Sequence, residues 1–151
     1  MPNGYWGKIL FVNLSTGEIT VETPPEEVYR RYLGGYGLGA YVLTDRIPPG
    51  ADPLGPENVI GFLPGLLTGS GALFGGRFMV CARSPLTGAW GDSNCGGNFG
   101  PALRGTGYDG VFVTGRAQRP VYLYIDGERA EIRDATDLWG PVSYTHLTLP
   151  T

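Results

Sequence analysis

The sequence predicts an α+β fold made mainly of antiparallel β-sheets, with a few short helices. Three observations lead there. Runs of β-branched and aromatic residues, among them GKILFVNL, VIGFLPG, RFMVCAR, GVFVTG and VYLYIDG, recur along the chain and are bounded by glycine, proline and polar turn residues. The helical stretches are few, and they do not alternate regularly with these runs as a parallel sheet with crossover helices requires. The 151 residues include 26 glycines and 13 prolines, about a quarter of the chain, yet 42% are hydrophobic and 12% aromatic. That much apolar material gives a core to bury, so the glycine and proline content signals a loop-rich folded domain rather than disorder. The length fits one domain or a piece of a larger one.

Taken in order, GKILFVNLSTGEITVET reads as a hairpin, with Gly17 able to supply the positive φ of its turn. PPEEVYRRYLGG reads as a short helix: Pro25 suits its first turn, Glu26 and Glu27 its positive end, Arg30 and Arg31 its negative end, and Gly34 or Gly35 its stop. YGLGAYVLTDRIP reads as a second helix, with Leu38, Val42 and Leu43 on one face and Pro48 and Pro49 ending it. ADPLGPEN is a loop and VIGFLPG a buried strand. GGRFMVCARSP is a strand stopped by Pro85, with Cys81 a small core residue. The stretch 91–110 holds seven glycines, with Asn94 in a turn-prone run and NFGPALRGTG as a short helix. YDGVFVTG, PVYLYIDGE and RAEIRDA are three further strands, the last two joined by a tight turn at IDGER. LPGLLTG and RSPLTG both end in Thr-Gly, which reads as turn chemistry rather than an internal repeat. After Asp137 the chain carries no charge, and its last ten residues have neither periodicity nor a helix cap. The domain is therefore expected over 1–140. Residues 141–151 read as a non-native or disordered tail without function, and this includes the single histidine, His146.

The formal net charge of −3 gives no overall basic field for nucleic acid. The charge is uneven, however. Residues 58–119 carry five arginines and two aspartates, a locally positive middle between two acidic flanks. No run of about eighteen apolar residues is present to span a membrane. MPNGYWGKILFVNL lacks the basic start and long apolar stretch of a secretory signal, so a cytoplasmic location is expected. Cys81 and Cys95 have no CxxC spacing and no nearby histidine, so they do not form a zinc or iron–sulfur set. There is no GxxxxGK[ST] loop and no HExxH, and GYGLGA follows a helix rather than the strand a dinucleotide fingerprint needs. Cys95 lacks the cationic neighbour that activates a catalytic thiol.

What remains is main chain. Glycines let a ligand come within hydrogen-bonding distance of the backbone. Arg77, behind two glycines at the opening of a strand, either holds a phosphate or covers apolar surface at a strand edge. Asn94 either plays a structural part or offers its carbonyl to a hard cation such as magnesium. On these residues alone, a stand-alone module for a phosphorylated ligand and a purely structural β-domain both stay open.

The segments GYWGKILFVNLSTGEITVE, YLGGYGLGAYVL, DPLGPENVIGFLPGLLTG, GGRFMVCARSPLTG, GDSNCGGNFGPALRGTGYDGVFVTGRAQRPVYLYID and AEIRDATDLWG resemble, in that order, the N-terminal domain of the tungsten-containing aldehyde ferredoxin oxidoreductase family, over about residues 4–140. The resemblance implies a pseudo-twofold pair of β-sheets, here incomplete, forming the base for a tungsten cofactor carried by two pterins. It implies an enzyme that oxidises an aldehyde with water to a carboxylic acid and passes two electrons through a pterin and a [4Fe–4S] cluster to ferredoxin. The cysteines of that cluster would come from later domains absent from this chain, and the full-length enzyme could be a homodimer. On the same resemblance, GGRF places Arg77 at the arginine that links pterin and cluster by hydrogen bonds. SNCGG places Asn94 at the asparagine whose backbone carbonyl binds a magnesium bridging the pterin phosphates, and Cys95, Gly96 and Gly97 where the pterin lies close to the main chain. No catalytic side chain is expected. Two positions depart from the family pattern: Tyr36 stands where GGRGLGA often carries arginine, and Cys95 where serine is common. The same cradle would serve the tungsten subunit of a carboxylic-acid or benzoyl-CoA-type aromatic-ring reductase. The chain ends where the second half of the domain should begin, so alone it is expected to be inactive and, with open strand edges, poorly soluble.

Overall fold

The computed structural model describes residues 4–127 and 129–140. Strand β1 (Ile9–Asn13) turns through Gly17, at φ 77°, into β2 (Glu18–Glu22), forming the expected hairpin. Helices α1 (Glu26–Tyr32) and α2 (Tyr36–Arg46) follow, then β3 (Val59–Pro64), β4 (Phe78–Arg83) and β5 (Trp90–Cys95). The short helix α3 (Phe99–Gly105) leads to β6 (Gly110–Thr114), and β7 (Val121–Asp126) and β8 (Arg129–Asp134) form a separate antiparallel pair. A single 3-10 turn covers Thr136–Leu138. The proposed tail 141–151, with His146, lies outside the described residues.

Six strands make one sheet in the order β2-β1-β6-β3-β4-β5. All neighbours in it are antiparallel except β1 and β6, which run parallel. The fold is thus α+β and mainly antiparallel. The parallel contact is reached because nearly a hundred residues separate β1 from β6, ample for the long crossover that parallel neighbours need.

Each face of the sheet buries one apolar layer. Helices α1 and α2 lie on the first, where Val28, Tyr29, Leu38, Val42 and Leu43 pack with Ile9, Leu63, Cys81 and Phe112. Leu38, Val42 and Leu43 are the residues that the helical spacing assigns to one face, and all three are buried. Leu10, Val12 and Val111 point to the opposite face, against Leu103 of α3, Tyr108 and the β7–β8 pair. Gly61 allows this core its density: a Cβ there would lie 2.5 Å from Cε1 of Phe112. Burial pushes the Cys81 thiol up to about 12, as expected for an ionisable group in an apolar layer.

A buried polar clamp closes one end of the sheet. Asp109, 2% exposed, accepts from the backbone N–H groups of Trp6 (3.1 Å) and Gly7 (2.6 Å) and pairs with the Arg104 guanidinium. Arg104 also donates to the carbonyl of Gly4, and the Trp6 indole donates to the carbonyl of Arg104 at 2.9 Å. The chain before β1, the end of α3 and the start of β6 are thereby tied together. Burial first, and then the Asp109 charge, holds the Tyr29 phenol above its ordinary pKa.

Two local expectations are corrected. Helix α1 is not stopped by Gly34 or Gly35. Leu33 leaves the helix at φ 62°, ψ −78°, and the N–H of Gly34 donates to the carbonyl of Tyr32 at 2.9 Å, a tight three-residue turn that brings α2 back over the sheet. Asn94 is not in a turn: WGDSNC is strand β5, paired along its whole length with β4. Its residues have little strand propensity, and the unpaired edge of β4 overrides it.

Candidate functional site

The glycine-rich segments meet at one end of the β4–β5 pair. In this register Met79 faces Asn94, Cys81 faces Asp92 and Arg83 faces Trp90. Directly opposite residues share a face of the sheet, so Trp90, Asp92 and Asn94 lie on the face that carries α2. Trp90 reaches far enough that a Cβ on Gly39 of α2 would be 3.6 Å from its ring. Cys95, one residue on, takes the other face, where its Sγ lies 3.7 Å from the hydroxyl of Ser93. Asn94 and Cys95 therefore cannot both turn their side chains toward Arg77; Cys95 offers the site its main chain.

Arg77 immediately precedes β4. Its backbone is fixed by Thr68, a buried residue whose hydroxyl donates to the Arg77 carbonyl at 2.7 Å and accepts from the Gly65 N–H at 2.9 Å. Its guanidinium crosses to β5: Nε donates to Oδ1 of Asn94, and Nη2 to the Asn94 backbone carbonyl at 3.3 Å. Arg46, Arg104 and Arg133 each pair with a carboxylate, whereas Arg77 has none among the described residues. It stands on an exposed surface.

The main chain around this guanidinium is bare. A Cβ added at Gly96 would stand 3.8 Å from Nη1 of Arg77, and one at Gly76 would stand 3.8 Å from the carbonyl oxygen of Gly97. At Gly97 a Cβ would meet nothing within 4 Å, and its φ of 88° belongs to the left-handed region that disfavours other residues. Gly76, Arg77, Gly96 and Gly97 thus form an open cradle that side chains would fill, with one cation on its wall. Such a cradle fits a large anionic group that lies against peptide groups. The Asn94 carbonyl already accepts one hydrogen bond, and its second lone pair can serve a cation. Among the described residues no three His, Cys, Asp or Glu side chains converge as a metal-ligand set.

The structure brings all five sequence-derived residues, Arg77, Asn94, Cys95, Gly96 and Gly97, to this one end of the sheet. Thr68 and Gly76 escape a reading of the sequence by residue type, although the LPGLLTG turn that contains Thr68 is visible there. The Thr-Gly pairs are indeed turns, with Gly69 at φ 74° and Gly88 at φ 68°. An apolar groove of about 490 Å³ lies elsewhere, between α3 and β7, lined by residues such as Phe62, Phe99, Leu103 and Ile125. It presents no charged group to fix a phosphate.

The profile of a family described as aldehyde ferredoxin oxidoreductase, N-terminal domain, matches residues 9–149. The tungsten-containing aldehyde ferredoxin oxidoreductase of Thermococcus kodakarensis is 49% identical over 139 residues, which are 92% of this chain and 23% of that protein. The aliphatic sulfonate oxidoreductase WOR-like subunit of Pyrococcus furiosus is 37% identical over 139 residues, 90% of this chain and 22% of that protein. Among solved structures, the active-site complex BamBC of benzoyl coenzyme A reductase, in complex with 1,5-dienoyl-CoA, superposes with a TM-score of 0.88 at 39% identity, covering 91% of this chain and 21% of that one. The chain spans less than a quarter of the length of these relatives. With the profile matched over almost the whole chain and nearly half of its residues shared with tungsten enzymes, the chain belongs to the aldehyde ferredoxin oxidoreductase family, as its N-terminal domain.

Proposed function

We propose that this chain is the cofactor-cradling part, over residues 1–140, of a cytoplasmic tungsten oxidoreductase that converts an aldehyde and water to a carboxylic acid, releasing two protons and two electrons that pass to ferredoxin. When bound, a bis-pterin tungsten group supplies the two-electron chemistry; the residues of this chain supply placement and charge. The observation that carries the reading is the meeting of the Gly76–Arg77 and Asn94–Gly97 segments around an arginine with no carboxylate partner among the described residues.

In this reading Arg77 donates hydrogen bonds toward the pterin from a guanidinium already oriented by Asn94. The Asn94 carbonyl would offer an oxygen to a magnesium ion that neutralises pterin phosphate charge. The backbone at Cys95, Gly96 and Gly97 would leave room for the pterin, which a side chain on the glycines would narrow. No residue of the chain acts as acid, base or nucleophile. In this reading the ligands of the [4Fe–4S] cluster and the substrate pocket lie outside residues 1–140.

The likeness to the benzoyl coenzyme A reductase complex supports a second reading, in which the same cradle serves a carboxylic-acid or aromatic-ring reductase. Metal and pterin analysis of the full-length protein tests what the two share. Tungsten and pterin should co-purify in fixed proportion and be lost together in Gly96→Leu. A folded protein free of both sinks the reading and leaves a stand-alone phosphate-binding module. Aldehyde oxidation coupled to ferredoxin reduction, assayed against thioester ring reduction, then separates the two enzymes.

A further inference from the structure

The β4–β5 ladder ends at the pair Phe78 and Cys95. Gly76 and Arg77 on one side, and Gly96 and Gly97 on the other, lie beyond it, so strand pairing does not hold these two walls of the cradle together. A contact behind them does. It joins the loop over residues 65–77 to the first turn of α3. The loop closes on itself: the Thr68 N–H donates to the Gly65 carbonyl at 3.1 Å, the Gly69 N–H to the Gly75 carbonyl at 3.0 Å and the Gly75 N–H to the Ala72 carbonyl at 3.2 Å. A Cβ on Gly75 would stand 2.6 Å from the Leu67 carbonyl oxygen, a closeness that only glycine allows.

Thr68 is the buried residue of this loop, and both branches of its side chain are used. The hydroxyl accepts from the Gly65 N–H and donates to the Arg77 carbonyl, so one oxygen ties the first residue of the loop to its last. The methyl points at α3. A Cβ on Gly100 would stand 3.2 Å from Cγ2 of Thr68, 3.1 Å from the Gly76 carbonyl oxygen and 3.3 Å from Cβ of Phe78. All three are below the roughly 3.5–4.0 Å at which carbon atoms rest against each other. Gly100 lies in a helix, where alanine is ordinarily the better residue, and the close approach of α3 to the Gly76–Arg77 peptide gives its physical reason. Helix α3 directly continues the Asn94–Gly97 wall, so this contact seats one wall against the root of the other.

We propose that Thr68 and Gly100 are positioning residues: Thr68 fixes the Arg77 main chain through its hydroxyl, Gly100 lets α3 close on the Gly76–Arg77 peptide, and together they hold the Arg77 guanidinium on Asn94. The inference rests on the cradle reading for its purpose, but its test needs no cofactor, so the two can fail separately: metal and pterin content judges the cradle, and guanidinium reactivity judges the positioning. The measurement is the rate at which phenylglyoxal modifies each arginine of the full-length protein freed of bound cofactor, followed by mass spectrometry. Thr68→Val exchanges the hydroxyl for a methyl and should raise the Arg77 rate about fivefold, the effect of losing one net hydrogen bond. Thr68→Ser keeps the hydroxyl and should stay within about twofold of the parent. Gly100→Ala should raise the Arg77 rate about twofold or more, although alanine favours the helix itself. Arg46 and Arg133, each paired with a carboxylate, should keep their rates throughout. Where Thr68→Val does not fold, Gly100→Ala decides with the same controls. An Arg77 rate unmoved by Thr68→Val or by Gly100→Ala overturns the proposal. So does a rise as large in Thr68→Ser as in Thr68→Val, or one shared equally by Arg46 and Arg133.

Discussion

Two places along the same end of one sheet are held in opposite ways. Where β1 and β6 begin, side chains do the holding: Asp109 is buried, paired with Arg104 and tied to the backbone of Trp6 and Gly7, next to the fully buried Ile9, Leu10 and Phe112. Where β4 begins and β5 ends, main chain prevails. A Cβ at Gly97 would meet nothing, one at Gly76 or Gly96 would have a single neighbour within 4 Å, Arg77 and Asn94 are exposed, and in the neighbouring loop Leu73 and Phe74 are 87% and 97% exposed. The first place spends its apolar and charged groups on stability. The second withholds side chains from packing and leaves room for something else to be packed. The proposed cradle asks for both: a rigid part to fix the sheet and a bare part to receive a large group.

The contrast can be broken at its rigid part. Phe112→Ala removes a side chain 1% exposed and packed on both Phe11 and the α2 layer, and should cost about 4 kcal/mol in a denaturant melt. Asp109→Ala strands the Arg104 charge and two backbone N–H groups, and should cost about 3 kcal/mol in the same melt. If either costs under about 1 kcal/mol, the rigid part is not where the structure puts it.

A smaller effect is expected at alkaline pH. The Cys81 thiol rises from its ordinary 9.0 to about 12 in the folded chain. The folded state therefore keeps its proton while the unfolded chain ionises, so this contribution is complete below about pH 9 and is lost as the pH climbs toward about 12. Melts at about pH 8 and about pH 10 should show a shallower alkaline loss in Cys81→Ala, by at most about 1.4 kcal/mol per pH unit.

The smallest stability effects belong to the bare part, and they sharpen the comparison. Gly97→Ala should cost about 1 kcal/mol, from its positive φ alone. Gly96→Ala should stay within about 0.5 kcal/mol, since its Cβ would meet only the tip of Arg77. In the full-length protein the same Gly96→Ala should lower retained pterin, measured against protein after gel filtration. Stability and cofactor retention falling together would erase the distinction between the two parts.

Which parts of this could be read beforehand follows from what kind of force sets each part. The β1–β2 hairpin and helix α2 are local: Gly17 turns the first, and the 3.6-residue spacing of Leu38, Val42 and Leu43 faces the second inward, so both are legible in the sequence. Arg77 and Asn94 stand out through their glycine-rich neighbours and the family resemblance. Strand β5 is not legible, because little in WGDSNC beyond Trp90 favours extended structure; its partner imposes it. The clamp is equally hidden. Arg104 and Asp109 show no period and no motif, and their meaning depends on the N-terminal residues, a hundred positions away, arriving beside them.

The sequence by itself determined the α+β class, most of the strands and the concentration of backbone freedom in the middle of the chain, since composition and short-range periodicity are local properties. Only the tertiary structure decided that Arg77 would reach Asn94 with no carboxylate partner among the described residues, and that Gly76 would face Gly97. Those facts depend on the pairing of β4 with β5, and contacts between residues far apart in sequence leave no local trace.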